Sequence, residues 1–202
     1  MAPLRVGGTF APGLLPVNRT HRDVLMASFL SRLFREPPEA APAQQLYLAA
    51  VAQARQPALY LGYGVPDTLD GRFDMTALHV FLLLYRLRTE GEGTRRLGQA
   101  LFDYMFGDMD RSLRELGVGD LRVARKIKPM VEAFQGRAQA YREALQARDE
   151  AALAEALHRN VYRNEPTAHA PALAGYVRRQ VDHLASQSAE AVSRGMVSFL
   201  AP

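Results

Sequence analysis

Two groups of polar side chains have the residue types of a metal or acid–base site. Glu155 and His158 have the Glu-x-x-His spacing found in di-iron sites of helical bundles. Such a site needs a second pair and two further carboxylates, and no second pair occurs. Asp67, Asp70 and Asp74 cluster around a glycine, but without the spacing of a calcium-binding loop. We therefore expect turn and helix-cap roles for the first two aspartates, and no metal ligand in either group.

His79 is a third candidate, because it lies in the most apolar segment of the chain. A lone histidine there is usually neutral and hydrogen-bonded, and Asp103 or Asp110 could orient its ring. An enzyme with a metal or haem site at His79 remains the alternative, although no second ligand is visible. The sequence contains no nucleophile elbow and no glycine-rich phosphate loop. We predict no catalytic residue and no cofactor.

The amino-acid composition excludes several further classes of protein. The chain has 202 residues, no cysteine, 48% hydrophobic residues and a net charge of +4. Without cysteine there can be no disulfide, thiolate zinc site, iron–sulfur cluster or cysteine nucleophile. No apolar stretch reaches the roughly 18 residues of a membrane-spanning helix, and the N-terminus lacks the pattern of a signal peptide. We expect a cytoplasmic protein or one peripheral to a membrane.

The positive charge is concentrated in one segment. Residues 111–142 carry eight basic and three acidic side chains, a net +5, so the rest of the chain sums to −1. The densest part contains Arg122, Arg125, Lys126 and Lys128, next to Pro129. Such a patch could bind an anionic surface, such as lipid headgroups or RNA, or it could be a solvated helix face.

A second unusual group is apolar. Phe102, Met105, Phe106 and Met109 widen one face of a helix beyond a normal core stripe. Methionine and phenylalanine together form adaptable surface that suits varied apolar partners. The alternative is packing within the protein's own core.

The elements that position these residues are all helical. Residues 1–42 are rich in proline and glycine, with a short basic amphipathic helix at 24–34 and a proline linker at its end. Apolar spacing and caps predict a single helical domain over 43–202, an all-α bundle of about six to seven helices. Thr94, Asp120 and Asp149 are the expected helix caps, and Asp67, Thr68 and Asp70 are alternative caps for the helix at 72–88. Pro129 should kink its helix. The predicted helices cover 43–56, 72–88, 94–116, 120–145, 149–163 and a last one from Pro171.

Two longer segments, Gly64–His79 and Leu101–Asp120, resemble the ubiquinol–cytochrome c chaperone family, bacterial relatives of mitochondrial factors that assemble the cytochrome bc1 complex. The similarity extends from about Ala43 to Arg163. The motif positions are Gly64, Val65, Pro66, Asp67, Thr68, Asp70, Gly71, Arg72, Phe73, His79, Asp108, Asp110 and Arg111.

The resemblance implies a non-enzymatic assembly chaperone. It would bind newly made cytochrome b at the cytoplasmic face of the inner membrane, and the resemblance also allows for a small helical partner subunit. The apolar group would contact cytochrome b, and the basic patch would contact the membrane or the ribosome. The alternative function is a peripheral membrane- or ribosome-associated helical binding protein of another pathway.

The resemblance also concerns the start of the chain. Members often begin with a basic and apolar segment like Ser28–Arg35, near their initiator methionine. We therefore expect Met26 to be the native start and residues 1–25 to be an extension.

Overall fold

The structure, a computed structural model, describes residues 38–88 and 92–202, and these residues form α-helices with no β-strand among them. The expected all-α class is confirmed. The predicted helix at 24–34 and the expected start at Met26 lie outside the described residues. The described helices are α1 (Ala40–Ala54), α2 (Pro57–Leu61), α3 (Leu69–Leu87), α4 (Glu92–Glu115), α5 (Asp120–Ala147), α6 (Glu150–Asn160), α7 (Ala170–Ser186) and α8 (Ala189–Ser193).

Among the described helices, three starts have a side-chain cap, and that of α8 is Ser188, whose Oγ accepts a hydrogen bond from the Ala191 amide at 3.1 Å. Thr68 Oγ1 accepts a hydrogen bond from the Gly71 amide at 3.0 Å, and the Asp149 carboxylate accepts one from the Ala152 amide at 2.9 Å. The prediction for Asp149 is confirmed. Thr94 is not a cap, because α4 begins at Glu92 and Thr94 lies in its first turn. Asp120 is the first residue of α5 instead of its cap. Its negative charge there stabilises the helix by interacting with the positive end of the helix dipole.

Prolines account for other differences between the predicted and observed helices. Pro57 opens the extra helix α2 inside the expected connector, and Pro42 lies in the first turn of α1. Both positions suit proline, since amides of the first turn have no partner within the helix. Pro129 lies inside α5, which extends from Asp120 to Ala147, and the kink at this proline stays a prediction. The last predicted helix, expected from Pro171, begins at Ala170 and ends at Ser186.

Helix α3 is the centre of the bundle, as its nearly all-round apolar sequence predicts. It packs against α1, α4, α5 and α7. Leu78, Leu82 and Leu83 are each at most 1% exposed. No helix in residues 38–88 or 92–202 is long and apolar enough to cross a membrane.

His79 is fully buried in α3 and bridges to α7. Its Nδ1 lies 2.8 Å from the Met75 carbonyl oxygen, and its Nε2 lies 2.8 Å from the Tyr176 hydroxyl. A carbonyl only accepts, so Nδ1 carries the proton and Nε2 accepts from the tyrosine. The prediction that Asp103 or Asp110 orients the ring is wrong. The second partner of the ring is Tyr176 on α7, 97 residues further along the chain.

The same network holds the C-terminal segment onto the bundle. The Gln53 amide nitrogen donates to the Tyr176 hydroxyl at 2.9 Å and to the Leu200 carbonyl at 2.7 Å. Gln180 donates to the same carbonyl at 2.7 Å and accepts from the Leu200 amide at 3.0 Å. The Phe199 ring meets the His79 ring edge-on, with centroids 5.3 Å apart. The chain after α8 is therefore held against the core, where Val197 and Phe199 are partly buried.

We expect His79 to make folding stability depend on pH. Burial lowers the pKa of His79 from 6.5 to about 4. The unfolded chain binds this proton more readily, so stability present at pH 7 falls as the pH drops below 6.5. The loss between pH 7 and pH 5 should be about 2 kcal/mol in the free energy of unfolding by urea. His79→Gln should flatten this dependence, whereas His158→Gln should retain it; equal slopes in wild type and His79→Gln would contradict the assignment.

Candidate functional site

An open groove of about 1220 Å³ lies between α2, the start of α3, the end of α4 and the first half of α5. Phe73, Met109 and Met130 are half-buried apolar side chains of its lining. Three exposed leucines from different elements also line it: Leu61, Leu69 and Leu116. The groove thus combines apolar surface with the two segments that carry the family resemblance.

The groove exists because the apolar stripe of α4 continues past the core. Leu97 and Leu101 are 3% and 0% exposed, Met109 and Leu113 are half-buried, and Leu116 is 75% exposed. Helix α5 follows after the short turn 116–119, and its own stripe is only half-buried at Ile127. The uncovered end of the α4 stripe, at Met109, Leu113 and Leu116, therefore lines the groove, and Met130 contributes a half-buried apolar side chain from α5.

The first motif is a turn that needs glycine at two positions. Gly64 has a φ of 60°, and a Cβ there would lie 2.5 Å from the His169 ring. A Cβ on Gly71 would lie 2.0 Å from the Pro66 carbonyl oxygen. Val65, only 3% exposed, anchors the turn in the core. The tight turn starts α3 at the groove edge and places Phe73 in the groove wall.

Charged residues of this motif are paired on the protein surface. Arg72 donates to Asp67 at 2.6 Å, and this hydrogen bond holds the pKa of Asp67 below its usual range. Asp70 pairs with Arg163 at 3.3 Å. Neither aspartate caps α3, a role taken by Thr68, and exposed pairs of this kind contribute little to stability.

Asp74 differs because its side chain is 1% exposed. Arg137 of α5 and Arg163 both donate to its carboxylate, the latter at 3.0 Å. Burial raises the pKa of Asp74, and the two guanidinium groups oppose that effect. All three side chains line the groove, so one buried carboxylate joins α3, α5 and the loop after α6 at its wall.

The second motif contributes Asp108, Asp110 and Arg111 near the end of α4. Asp108 accepts a hydrogen bond from the Tyr47 hydroxyl at 2.8 Å and lies 3.5 Å from Arg111. Burial and this aspartate raise the pKa of Tyr47 well above its usual value. Asp110 pairs with Arg114 at 2.6 Å. These contacts orient the end of α4 towards α1 and fix the groove on that side.

The four cations of the expected basic patch differ in whether they line the groove. Arg122, Arg125, Lys126 and Lys128 are all exposed, but only Arg125 and Lys126 line the groove. Lys128 lies 4.0 Å from Glu132. Within the described part of the chain, the other three have no ion-pair or hydrogen-bond partner.

The expected apolar group is divided between core and surface. Met105 and Phe106 are 0% and 7% exposed, which fits the core-packing alternative for these two. Phe106 packs on Phe102 with ring centroids 4.8 Å apart. Phe102 is half-buried and lines a smaller pocket of about 420 Å³ between α3, α4 and α5, so Met109 alone of the four reaches the groove.

The candidate metal residues have ordinary partners. Glu155 pairs with Arg159, and the His158 Nε2 lies 2.8 Å from the Glu165 carbonyl oxygen. Across residues 38–88 and 92–202, no three histidine or acidic side chains are grouped so that they could hold a metal ion.

Leu61, Leu69 and Leu116 are the residues that sequence reasoning missed. Each stands at or beside a helix end, and two of them directly precede a glycine. A leucine at the point where helical periodicity ends is a weak signal of a binding surface, because most such leucines fold back onto the core. Only the assembled helices show that these three face one groove.

Residues 62–199 match the sequence profile of the family described as Ubiquinol-cytochrome C chaperone. The human protein named "Ubiquinol-cytochrome c reductase complex assembly factor 1" is 27% identical over 150 residues, covering 73% of this chain and 50% of that protein. The Drosophila melanogaster protein of that name is 30% identical over 148 residues, covering 70% of this chain and 57% of its own length. The chain thus spans about half the length of these curated relatives.

A solved structure is similar over most of the chain. It is titled "Crystal structure of the Cbp3 homolog from Brucella abortus", with a TM-score of 0.73 and 37% sequence identity. The match covers 88% of this chain and 96% of that one.

We expect Arg137→Met to lower the free energy of unfolding by about 3 kcal/mol, because it removes one partner of a buried carboxylate. Arg72→Met is the matched control, since it breaks an Arg–Asp pair that is exposed on both sides. Urea denaturation of both variants at pH 7 measures the difference. Equal losses of stability would show that the buried pair has no special role in joining α5 to α3.

Proposed function

Since this chain belongs to the ubiquinol–cytochrome c chaperone family, we propose that it is a non-enzymatic assembly chaperone for the ubiquinol–cytochrome c reductase complex. The convergence of both family motifs on one apolar groove is the observation that carries this proposal. The names of the curated relatives, which are assembly factors of that complex, support the process. Because this chain covers only about half of the length of those relatives, its part in assembling the complex is inferred from the similarity.

The proposed client is newly made cytochrome b. A membrane protein exposes apolar helices before it is buried in the bilayer, and a holder needs apolar surface that adapts to them. Met109 and Met130 provide such surface in the groove, because methionine is flexible and polarizable. Phe102 would contribute from the neighbouring pocket, and the buried Met105 and Phe106 would support both from within the core.

The proposed place of action is the cytoplasmic face of the inner membrane, where cytochrome b is inserted. Arg122, Arg125, Lys126 and Lys128 would hold the protein near that anionic surface. The unpaired cations also fit the second candidate function, a peripheral membrane- or ribosome-associated binding protein of another pathway. The two candidates differ in whether loss of the protein affects cytochrome b.

We expect deletion of the gene in its host to lower cytochrome b and quinol–cytochrome c oxidoreductase activity together. Both should return when the full chain is expressed again. Haem-stained gels and activity in isolated membranes measure the two quantities. Normal levels of both in the deletion strain would reject the assembly function and leave the second candidate.

We expect Met109→Gln with Met130→Gln to reduce the amount of cytochrome b that co-purifies with the tagged protein. Glutamine has a similar shape but is polar, so the groove would lose apolar contact while the fold is retained. Met196→Gln is the matched control, because Met196 is 53% exposed and does not line the groove. Unchanged co-purification by the double variant would place the client elsewhere.

A further inference from the structure

We propose that the mouth of the groove docks onto an anionic lipid bilayer, with leucines entering the headgroup–acyl boundary and cations meeting lipid phosphates. This deepens the proposed function, on which it rests for its purpose: the groove would open towards the membrane that receives the client. The physical event is a binding step that the purified protein can perform alone.

The first argument is the placement of exposed leucines. Within the described residues, the large hydrophobic side chains that remain exposed are Leu48, Leu61, Leu69, Leu116, Met196 and Leu200. The three most exposed, at 86%, 81% and 75%, are Leu61, Leu69 and Leu116, and all three line the one groove. They come from α2, α3 and the turn after α4, so a single helix stripe does not explain them.

The second argument is the charge that remains after internal pairing. Arg72, Arg137 and Arg163 are paired with the groove aspartates Asp67, Asp70 and Asp74. Asp108, the remaining acid of the lining, is engaged by Tyr47 and Arg111. The unpaired charges of the lining, among described residues, are then all positive: Arg55, Arg125 and Lys126.

The combination favours a bilayer over nucleic acid or a folded protein. RNA would use the cations but gain nothing from leucines that are about four-fifths exposed. A folded partner would need a surface complementary to protrusions from three elements, whereas a fluid bilayer accepts each of them. Basic residues flanking protruding apolar side chains are the features that bind proteins to the interface of anionic membranes.

Vesicle flotation with the purified full chain, in the absence of client, tests the proposal. We expect the protein to float with phosphatidylcholine vesicles that contain phosphatidylglycerol and to float poorly with phosphatidylcholine alone. Arg125→Glu with Lys126→Glu should weaken binding by about 25-fold or more. Arg148→Glu with Arg179→Glu, which changes net charge equally at exposed sites outside the groove, should bind as wild type.

The leucines have their own matched controls. Leu61→Ser, Leu69→Ser and Leu116→Ser together should weaken binding by more than about tenfold, whereas Leu48→Ser should have no effect. Because the chain contains no tryptophan, Leu116→Trp supplies a single reporter. Its fluorescence should shift to the blue on anionic vesicles, and that of Leu48→Trp should not.

Three results with vesicles would overturn the proposal: no flotation of wild type, unchanged flotation of the triple serine variant, or no fluorescence shift at Leu116→Trp. Co-sedimentation with ribosomes in place of vesicles would also overturn it, in favour of RNA. Failure here, with cytochrome b still lost on gene deletion, would remove the docking inference alone. Normal cytochrome b in the deletion strain, with vesicle binding intact, would remove the assembly function alone.

Discussion

The buried carboxylate of Asp74 is the contact on which the groove depends. A charge that is 1% exposed is costly unless it is paired, and Arg137 and Arg163 provide the pairing from two other parts of the chain. In the first half of α5, Val123 is fully buried, whereas Ile127 and Met130 are only half-buried, so the ion pair adds to a modest set of apolar contacts. Since all three side chains line the groove, its wall is also the joint between these elements.

A second buried network, around His79, consists of neutral polar contacts. His79, Tyr176 and Gln53 form a buried hydrogen-bonded chain, and Gln53 and Gln180 converge on the Leu200 carbonyl. A neutral network satisfies its donors and acceptors without the desolvation cost of a charge. The C-terminal segment thus packs against the core at this network, whereas the end of the apolar stripe of α4 remains exposed at Leu116.

Local pattern was enough to predict the helical class, the central position of α3 and the cap at Asp149. It failed where the outcome depends on contacts between distant segments. The partner of His79 is Tyr176 on another helix, and Met105 is buried although its stripe continues to the exposed Leu116. Periodicity shows which face of a helix is apolar, but it does not show where along that face the neighbouring helices stop. The groove forms where the neighbouring helices no longer cover the apolar face of α4.

The groove residues divide into those that folding requires and those that it does not. Gly71 and Thr68 shape the turn that starts α3, so substitutions there disturb the fold and the groove wall together. Leu61, Leu69 and Leu116 have almost no contact with the core, and burial of apolar area is how a leucine stabilises a fold. Their side chains therefore contribute little to stability where they stand. What their exposed area can contribute is free energy of association with an apolar environment outside the chain, such as the acyl boundary of the bilayer proposed above.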